Sequence, residues 1–313
     1  MTVSAPGKVF LAGEYAVLHG GTAVLAAVDR RAVARFVPGA APSTPLGAEA
    51  LRAVRAHCAE TGARPPEGAP EIDSGALSAE GRKLGLGSSA AAAAAAVGAL
   101  LEAVGHDVEA ERPLAFTLAE RAHRAIQGGR GSGADVAAAV FGGILAYRRP
   151  AGGDPIVRPL GPLAGAEVVV VSTGSPSATV DHVRAVERLA ARDPAAHGRR
   201  MGDLRAAADA FLRAYQGGDG RALVESVAAA HTVLEALGRE ADLPIVTPAL
   251  AAAAALAAAV GGAAKPSGAG GGDVGVAFFT DAEAARAFRA RAAQLGLGIL
   301  NLTTGAGGLA RAG

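Results

Sequence analysis

The sequence predicts an α+β protein built from two domains, and three observations carry that prediction. At 313 residues the chain exceeds what one hydrophobic core usually serves. Its first 36 residues alternate short apolar runs with glycine turns, the pattern of strands and hairpins. Its second half runs strand, helices, strand, helix, strand, the order of an open sheet backed by helices. The expected domains are residues 1–162 and 163–313, cut in a Pro/Gly-rich stretch before the strand AEVVVVST.

The elements follow in order. VFLAG, YAVL, TAVLAAV and AVARFV are the opening strands. Residues 37–80, rich in Pro, Gly and Ala, form a surface excursion around one helix near 47–62. GLGSSAAAAAAAVGALLEAV, residues 85–104, is a glycine-serine turn feeding a small-faced helix, with Ser88 and Ser89 where an N-cap belongs. A second helix covers 110–127, and the turn GGRGSGAD follows it. Beyond the strand at 166–173 come helices at 178–193, 196–216 and 220–238. Thr247 and Pro248 form an N-cap and first-turn pair opening ALAAAAALAAAV. VGVAFF at 274–279 is a strand, DAEAARAFRARAAQLG a helix and GILNL a last strand.

Composition narrows the function classes. The hydrophobic fraction of 50% rests on Ala, Val and Leu, which suits helices packed through small side chains and gives no membrane-spanning run. No secretory signal is visible at the N-terminus, and the single cysteine, Cys58, rules out an internal disulfide framework, so a cytoplasmic protein is expected. A net charge of +1 with interspersed signs leaves no long-range field for nucleic acid or a membrane surface. The expected partner is a small molecule, bound by a monomer or homodimer. Of the 30 basic side chains only Lys8, Lys83 and Lys265 are lysine. A lysine kept against that bias points to a place that wants a compact ammonium.

Four segments gather the chemistry. Around residues 85–90, glycines permit unusual backbone and several N–H groups converge at a helix start, an arrangement that holds phosphate or simply caps a helix. In APGKVFLAGEYAVLHGG, residues 5–21, Lys8, Glu14, Tyr15 and His19 cluster on an otherwise apolar hairpin, as groups lining a cleft do. Asp135 follows a turn with four glycines and is either an N-cap or a general base or metal ligand. KPSGAGGGDVGVAFF, residues 265–279, puts four glycines within five residues just before a strand, as a loose loop or a backbone wrap around a ligand.

PGKVFLAGEYAVL, GLGSSA and KPSGAGGGD, in this order and spacing, resemble the three motifs of the GHMP small-molecule kinases. Within that family GEYAVL, GRKLGLGSSA, the AH-x4-QG-xx-GSG-x-DVAAA segment, TGSPSATVDHV and the GGGD of the third motif are most similar to the phosphomevalonate kinases. HGGTA is closer to the mevalonate kinases, which usually carry glutamate where His123 aligns and glycine in place of Asp273. The resemblance implies an N-terminal domain with the ribosomal-protein-S5-like domain 2 fold and a ferredoxin-like C-terminal α/β layer.

It also implies an ATP- and Mg²⁺-dependent transfer of a phosphoryl group to (R)-5-phosphomevalonate. A mevalonate kinase is the alternative, and a catalytically silent ligand-binding regulator is the reading from another class. On that resemblance Gly85, Leu86, Gly87, Ser88, Ser89 and Ala90 hold the ATP phosphates. Lys8 and Asp135 are catalytic, and Ser88, Ser89 and Asp135 contact the metal. Lys83, Arg130 and Arg148 are candidates for the acceptor's phosphate. Glu14, Tyr15, His19, Ser132, Ser177, Thr179, Lys265, Ser267 and Ala269 complete the expected substrate-binding set.

Overall fold

The computed structural model describes residues 1–79, 81–129, 131–175 and 179–312, and the side chains of all of these but Thr179 and Val180. In chain order the elements are β1 (Thr2–Ala12), a single 3-10 turn (Ala16–His19), β2 (Thr22–Pro38), α1 (Pro45–Thr61), β3 (Gly68–Asp73), β4 (Ser78–Ala79) and β5 (Arg82–Lys83). There follow α2 (Ser88–Ala103), α3 (Arg112–Ile126), α4 (Ala134–Phe141), β6 (Ile144–Arg148), β7 (Ile156–Leu160) and β8 (Glu167–Ser172). The remainder is α5 (Thr179–Arg192), α6 (Pro194–Gly217), α7 (Gly220–Glu240), α8 (Pro248–Ala259), β9 (Ala263–Pro266), β10 (Val274–Phe279), α9 (Ala282–Ala292), β11 (Gly298–Leu300) and β12 (Ala310–Arg311).

The chain forms two compact units, but no single cut divides them. One takes Met1–Lys8, Ala26–Leu145 and Thr303–Gly313; the other takes Val9–Leu25 and Ala146–Leu302. β1 and β2 are long strands, and each carries residues of both units. The C-terminal strand also returns: β12 pairs antiparallel with β1, Val3 opposite Arg311 and Ser4 opposite Ala310.

In the first unit α2 is apolar on every side and buried along almost its whole length, as an all-round hydrophobic helix must be. Small side chains let it approach closely. A Cβ on Gly98 would meet Val3 Cγ1 at 2.8 Å and Leu309 Cδ1 at 3.1 Å, so glycine is required there. β3 pairs with the far end of β2, from Val33 opposite Asp73 to Pro38 opposite Gly68, which turns part of the expected surface excursion into sheet. α1 starts as its sequence dictates, with Thr44 Oγ1 accepting from Gly47 N at 3.0 Å and Pro45 in the first turn.

The second unit holds an antiparallel sheet in the order β11-β8-β10-β9. Val169, Val171, Ala277 and Phe279 face α8 and α9 residues Ala253, Ala257, Ala285 and Phe288 in one core cluster. A separate cluster packs Tyr15 and Ala16 with Val186, Leu189, Met201, Leu204, Leu234 and Ile245. The expected strand YAVL is therefore a 3-10 turn. Tyr15 adopts φ 57°, and Ala16 and Val17 are buried by that turn instead of by sheet pairing. Among the described residues no helix is long and apolar enough to cross a membrane.

Candidate active site

The first unit collects most of the predicted phosphate-handling residues. Lys8 sits on β1, 7% exposed, and its amide donates to Leu86 O at 2.8 Å, tying the strand to the glycine loop. Its side chain lies along Gly87: a Cβ there would fall 2.9 Å from Lys8 Cε and 3.0 Å from Cγ. Gly87 has φ +75° and Gly85 φ +74°, conformations that cost other residues dearly. The sequence expectation needs one correction here. Gly87, not a serine, is the N-cap of α2, and no side chain caps it. Ser88 and Ser89 occupy the first turn, so no side chain covers the helix start, and the positive end of its dipole lies beside the Lys8 side chain.

Ser89 Oγ lies 3.0 Å from His123 Nε2, across from α3. The turn before α4 has Gly128, Gly129, Gly131 and Gly133 all at positive φ. Gly133 is the N-cap and Asp135 falls in the first turn of α4, half-buried, its carboxylate accepting from Val136 N at 3.1 Å. Asp135 is thus not the cap. Ser132 Oγ accepts from Ala134 N at 3.2 Å. Lys83 is exposed on the short β4–β5 hairpin, opposite Ser78. Leu84 and Leu86, buried on either side of Gly85, anchor the loop that follows it.

In the second unit the third motif is tied down at alternate residues. The Lys265 ammonium pairs with the Glu14 carboxylate, with side-chain exposures of 0% and 1%, and also donates to Pro266 O at 3.1 Å. Burial pulls the Lys265 pKa down, against the pull of Glu14. Ser267 Oγ accepts from Phe10 N at 2.8 Å and donates to Phe10 O at 3.1 Å. Tyr15 Oη donates to Ala269 O at 2.5 Å, and burial raises the phenol far above its ordinary pKa. Gly271 N donates to Ile245 O at 2.9 Å, and Asp273 N to Ser175 O at 2.6 Å.

Glu14, Tyr15, Lys265 and Ser267, all expected to bind substrate, thus have polar atoms engaged in the interior, where these contacts fix the loop. His19 is exposed, stacked edge-on to His197 at 4.8 Å, with Arg205 donating to its carbonyl. Although the residue as a whole is exposed, partial desolvation of its ring, then His197 and Arg205, hold its pKa below the ordinary value. Arg148 Nε donates to Gly20 O at 3.0 Å, which uses one of its donors on the turn of the first motif. Arg130, Ser177 and the side chain of Thr179 lie outside the described residues.

Sequence reading assigned no role to Gln127 and used His123 only as a mark of resemblance. The signal available was their spacing of four on α3, which puts both on one face.

Known proteins share this chain's sequence and fold. The family description "GHMP kinases N terminal domain" matches residues 49–143 and "GHMP kinases C terminal" matches 207–296. A phosphomevalonate kinase of Streptomyces sp. (strain CL190) is 33% identical over 90% of each chain. A mevalonate kinase of Aeropyrum pernix is 32% identical over 75% of this chain and 76% of its own. The Streptococcus pneumoniae phosphomevalonate kinase, solved in complex with phosphomevalonate and AMPPNP, superposes with TM-score 0.83 at 22% identity, covering 97% of this chain and 99% of that one.

Proposed function

The chain belongs to the GHMP kinases, and on that footing we propose that it transfers the γ-phosphoryl group of ATP to the 5-phosphate of (R)-5-phosphomevalonate. The P–O bond to the β-phosphate breaks, a new one forms to an oxygen of the acceptor phosphate, and the products are ADP and 5-diphosphomevalonate. The observation that carries the reading is the Lys8 side chain laid along Gly87 at the start of α2. It brings a largely buried lysine to the positive end of a helix dipole, where a phosphoryl group in flight needs its charge offset.

Phosphoryl transfer asks the protein for position and charge more than for covalent chemistry. The backbone of Gly85–Ala90 holds the nucleotide phosphates, and Lys8 neutralises the transferring group and the attacking oxygen. No side chain has to remove a proton, because a phosphate monoester with a second pKa of about 6 is already largely ionised at neutral pH. Lys83, exposed beside the loop, supplies a cation for the acceptor's phosphate.

The donors near the loop fit Mg²⁺. Ser88, Ser89 and Asp135 offer oxygen only, as a hard divalent ion requires. Among the described residues no three His, Cys, Asp or Glu side chains form a group able to hold a metal alone, so the remaining ligands would be phosphate oxygens and water. When bound, the ion neutralises charge on the β- and γ-phosphates. A single cysteine, Cys58, buried and with no second cysteine to pair with, suits a cytoplasmic enzyme.

The Aeropyrum relative supports a second reading, mevalonate as acceptor. ADP release measured with mevalonate, phosphomevalonate, homoserine and galactose decides between them. The proposal expects the highest kcat/KM with phosphomevalonate; a higher value with mevalonate selects the second reading. No turnover with any acceptor selects a silent ligand-binding regulator.

A further inference from the structure

The chain turns at Tyr15 in a way that few residues tolerate. Ala16 N donates to Glu14 O at 2.6 Å across Tyr15, whose φ is 57° and ψ −47°. That is a γ-turn of the rare positive-φ kind, strained for any side chain and a true outlier for a bulky one. Such strain persists only where the surroundings over-determine the conformation. At Tyr15 they do. The residue is 4% exposed, it packs with Leu234 and Ile245, and its hydroxyl donates to Ala269 O at 2.5 Å.

The glycine loop that begins beside Ala269 has a second hold. Gly271 N donates to Ile245 O at 2.9 Å, and a Cβ on Gly270, at φ +74°, would stand 2.4 Å from the same carbonyl. Ile245 is shaped in turn by its own connector, between α7 and α8: its N–H donates to Leu243 O at 2.8 Å across Pro244. The two holds share one core cluster, which contains both Tyr15 and Ile245, and all of these residues belong to the second unit.

Glycine loses more backbone freedom on ordering than any other residue. A ligand that had to order this loop would bind more weakly for it. We propose that Tyr15 is a positioning residue which, with the Ile245 carbonyl, holds residues 269–271 in a preformed shape, so that the acceptor binds without meeting that cost. The inference rests on the reading of Ala269 as part of the acceptor site. The Tyr15 hydroxyl acts through the loop, and the strained turn is kept because it directs that hydroxyl to Ala269.

Amide exchange in the ligand-free enzyme tests the hold, and kinetics test its use. In the wild type the Gly271 amide should be protected; exchange at the rate of an exposed loop overturns the proposal. Tyr15→Phe keeps the ring and removes the donor. Loss of one hydrogen bond of ordinary strength corresponds to about 2- to 12-fold, so the Gly271 amide should exchange faster by that factor while the amides of β10 stay as they were. The KM for phosphomevalonate should rise by the same factor with kcat unchanged. A tyrosine that merely filled the core would speed exchange in β10 and at Gly271 alike and leave KM where it was. That result overturns the proposal, as does a fall in kcat at constant KM. Should Tyr15→Phe not fold, Pro244→Gly takes its place. Pro244 is exposed, so the substitution loosens the connector without opening the core, and Gly271 exchange and the acceptor KM should rise together; a rise in one alone overturns the proposal. A chain that preferred another acceptor would reveal it in the turnover comparison, and the exchange measurements would still decide whether Tyr15 holds the loop.

Discussion

Lys8→Met separates the charge of Lys8 from its packing. The stem lies against Gly87, with Cε, Cγ and Cδ at 2.9, 3.0 and 3.5 Å from where a Cβ would stand. Methionine is also unbranched and nearly as long, so it keeps that contact and loses only the ammonium. Removing one preorganised electrostatic stabiliser costs about 10² to 10³ in kcat, or about 2.7 to 4 kcal/mol. Gly87→Ala is the converse change, keeping the charge and adding the Cβ. At φ +75° an alanine costs about 1 to 2 kcal/mol, and the Lys8 stem must also move aside. The assay is steady-state kinetics on both substrates with urea unfolding of the same preparations. Lys8→Met should unfold like the wild type with kcat down by two to three decades. Gly87→Ala should lose stability by the amount given and bind ATP more weakly. A Lys8→Met enzyme turning over at near the wild-type rate would refute the catalytic assignment, and a Gly87→Ala protein of undiminished stability would refute the packing argument.

Lys83→Ala should raise the KM for phosphomevalonate roughly 10- to 150-fold, the loss of a charge-assisted contact of about 1.5 to 3 kcal/mol, with the KM for ATP nearly fixed; the reverse split would assign Lys83 to the nucleotide. Breaking the buried pair by Glu14→Leu or by Lys265→Met should each cost about 3 to 5 kcal/mol in urea unfolding, and the double variant should recover most of it, because only a lone charge is left uncompensated. Two equal single costs that add in the double variant would show that the side chains act independently. Stability should also fall in mild acid. His19 and His231 both have pKa values held below 6.5, chiefly by desolvation, which is partial at His19. The unfolded chain then binds protons more readily in the window from 6.5 down to the folded values, so stability present above that window is lost as pH falls through it. His19→Gln should flatten the slope of unfolding free energy between about pH 7 and pH 5; a slope unchanged by the substitution would place the acid sensitivity elsewhere.

The helices were legible because their signals are local. Thr247 with Pro248 opens α8 as read, Thr247 Oγ1 accepting from Leu250 N at 3.3 Å, and VGVAFF is β10 to the residue. What was not legible depends on distant partners. YAVL has strand composition, yet Tyr15 and Ala16 are drawn into a cluster with Leu234 and Ile245, more than two hundred residues away. β12 is two residues long and exists because β1 offers an edge to it. The first-unit candidates were found by glycine placement, since positive φ leaves its mark on the sequence. The contacts among polar residues of the first and third motifs were not legible either. A buried glutamate and a buried lysine stand 251 residues apart in the chain, and only the fold reveals their pairing.

The three lysines show how one compositional signal can have two physical causes. Lys265 has two acceptors within reach, the Glu14 carboxylate and Pro266 O, in a space closed to water. A guanidinium would bring five donors in a rigid plane and leave most of them buried and unpaired, so lysine is kept there for packing and hydrogen-bond economy. Lys8 is constrained in a related way, because its slender stem has to cross Gly87. Lys83 has neither constraint. It is exposed on a two-residue strand, where an arginine would fit as well as at the many surface sites that carry one. Since the hairpin makes no demand for a compact ammonium, the demand at Lys83 comes from what it meets in solution. On that ground, and not on exposure as such, we propose Lys83 as the cation that meets a phosphorylated acceptor, and the split in KM after Lys83→Ala tests it.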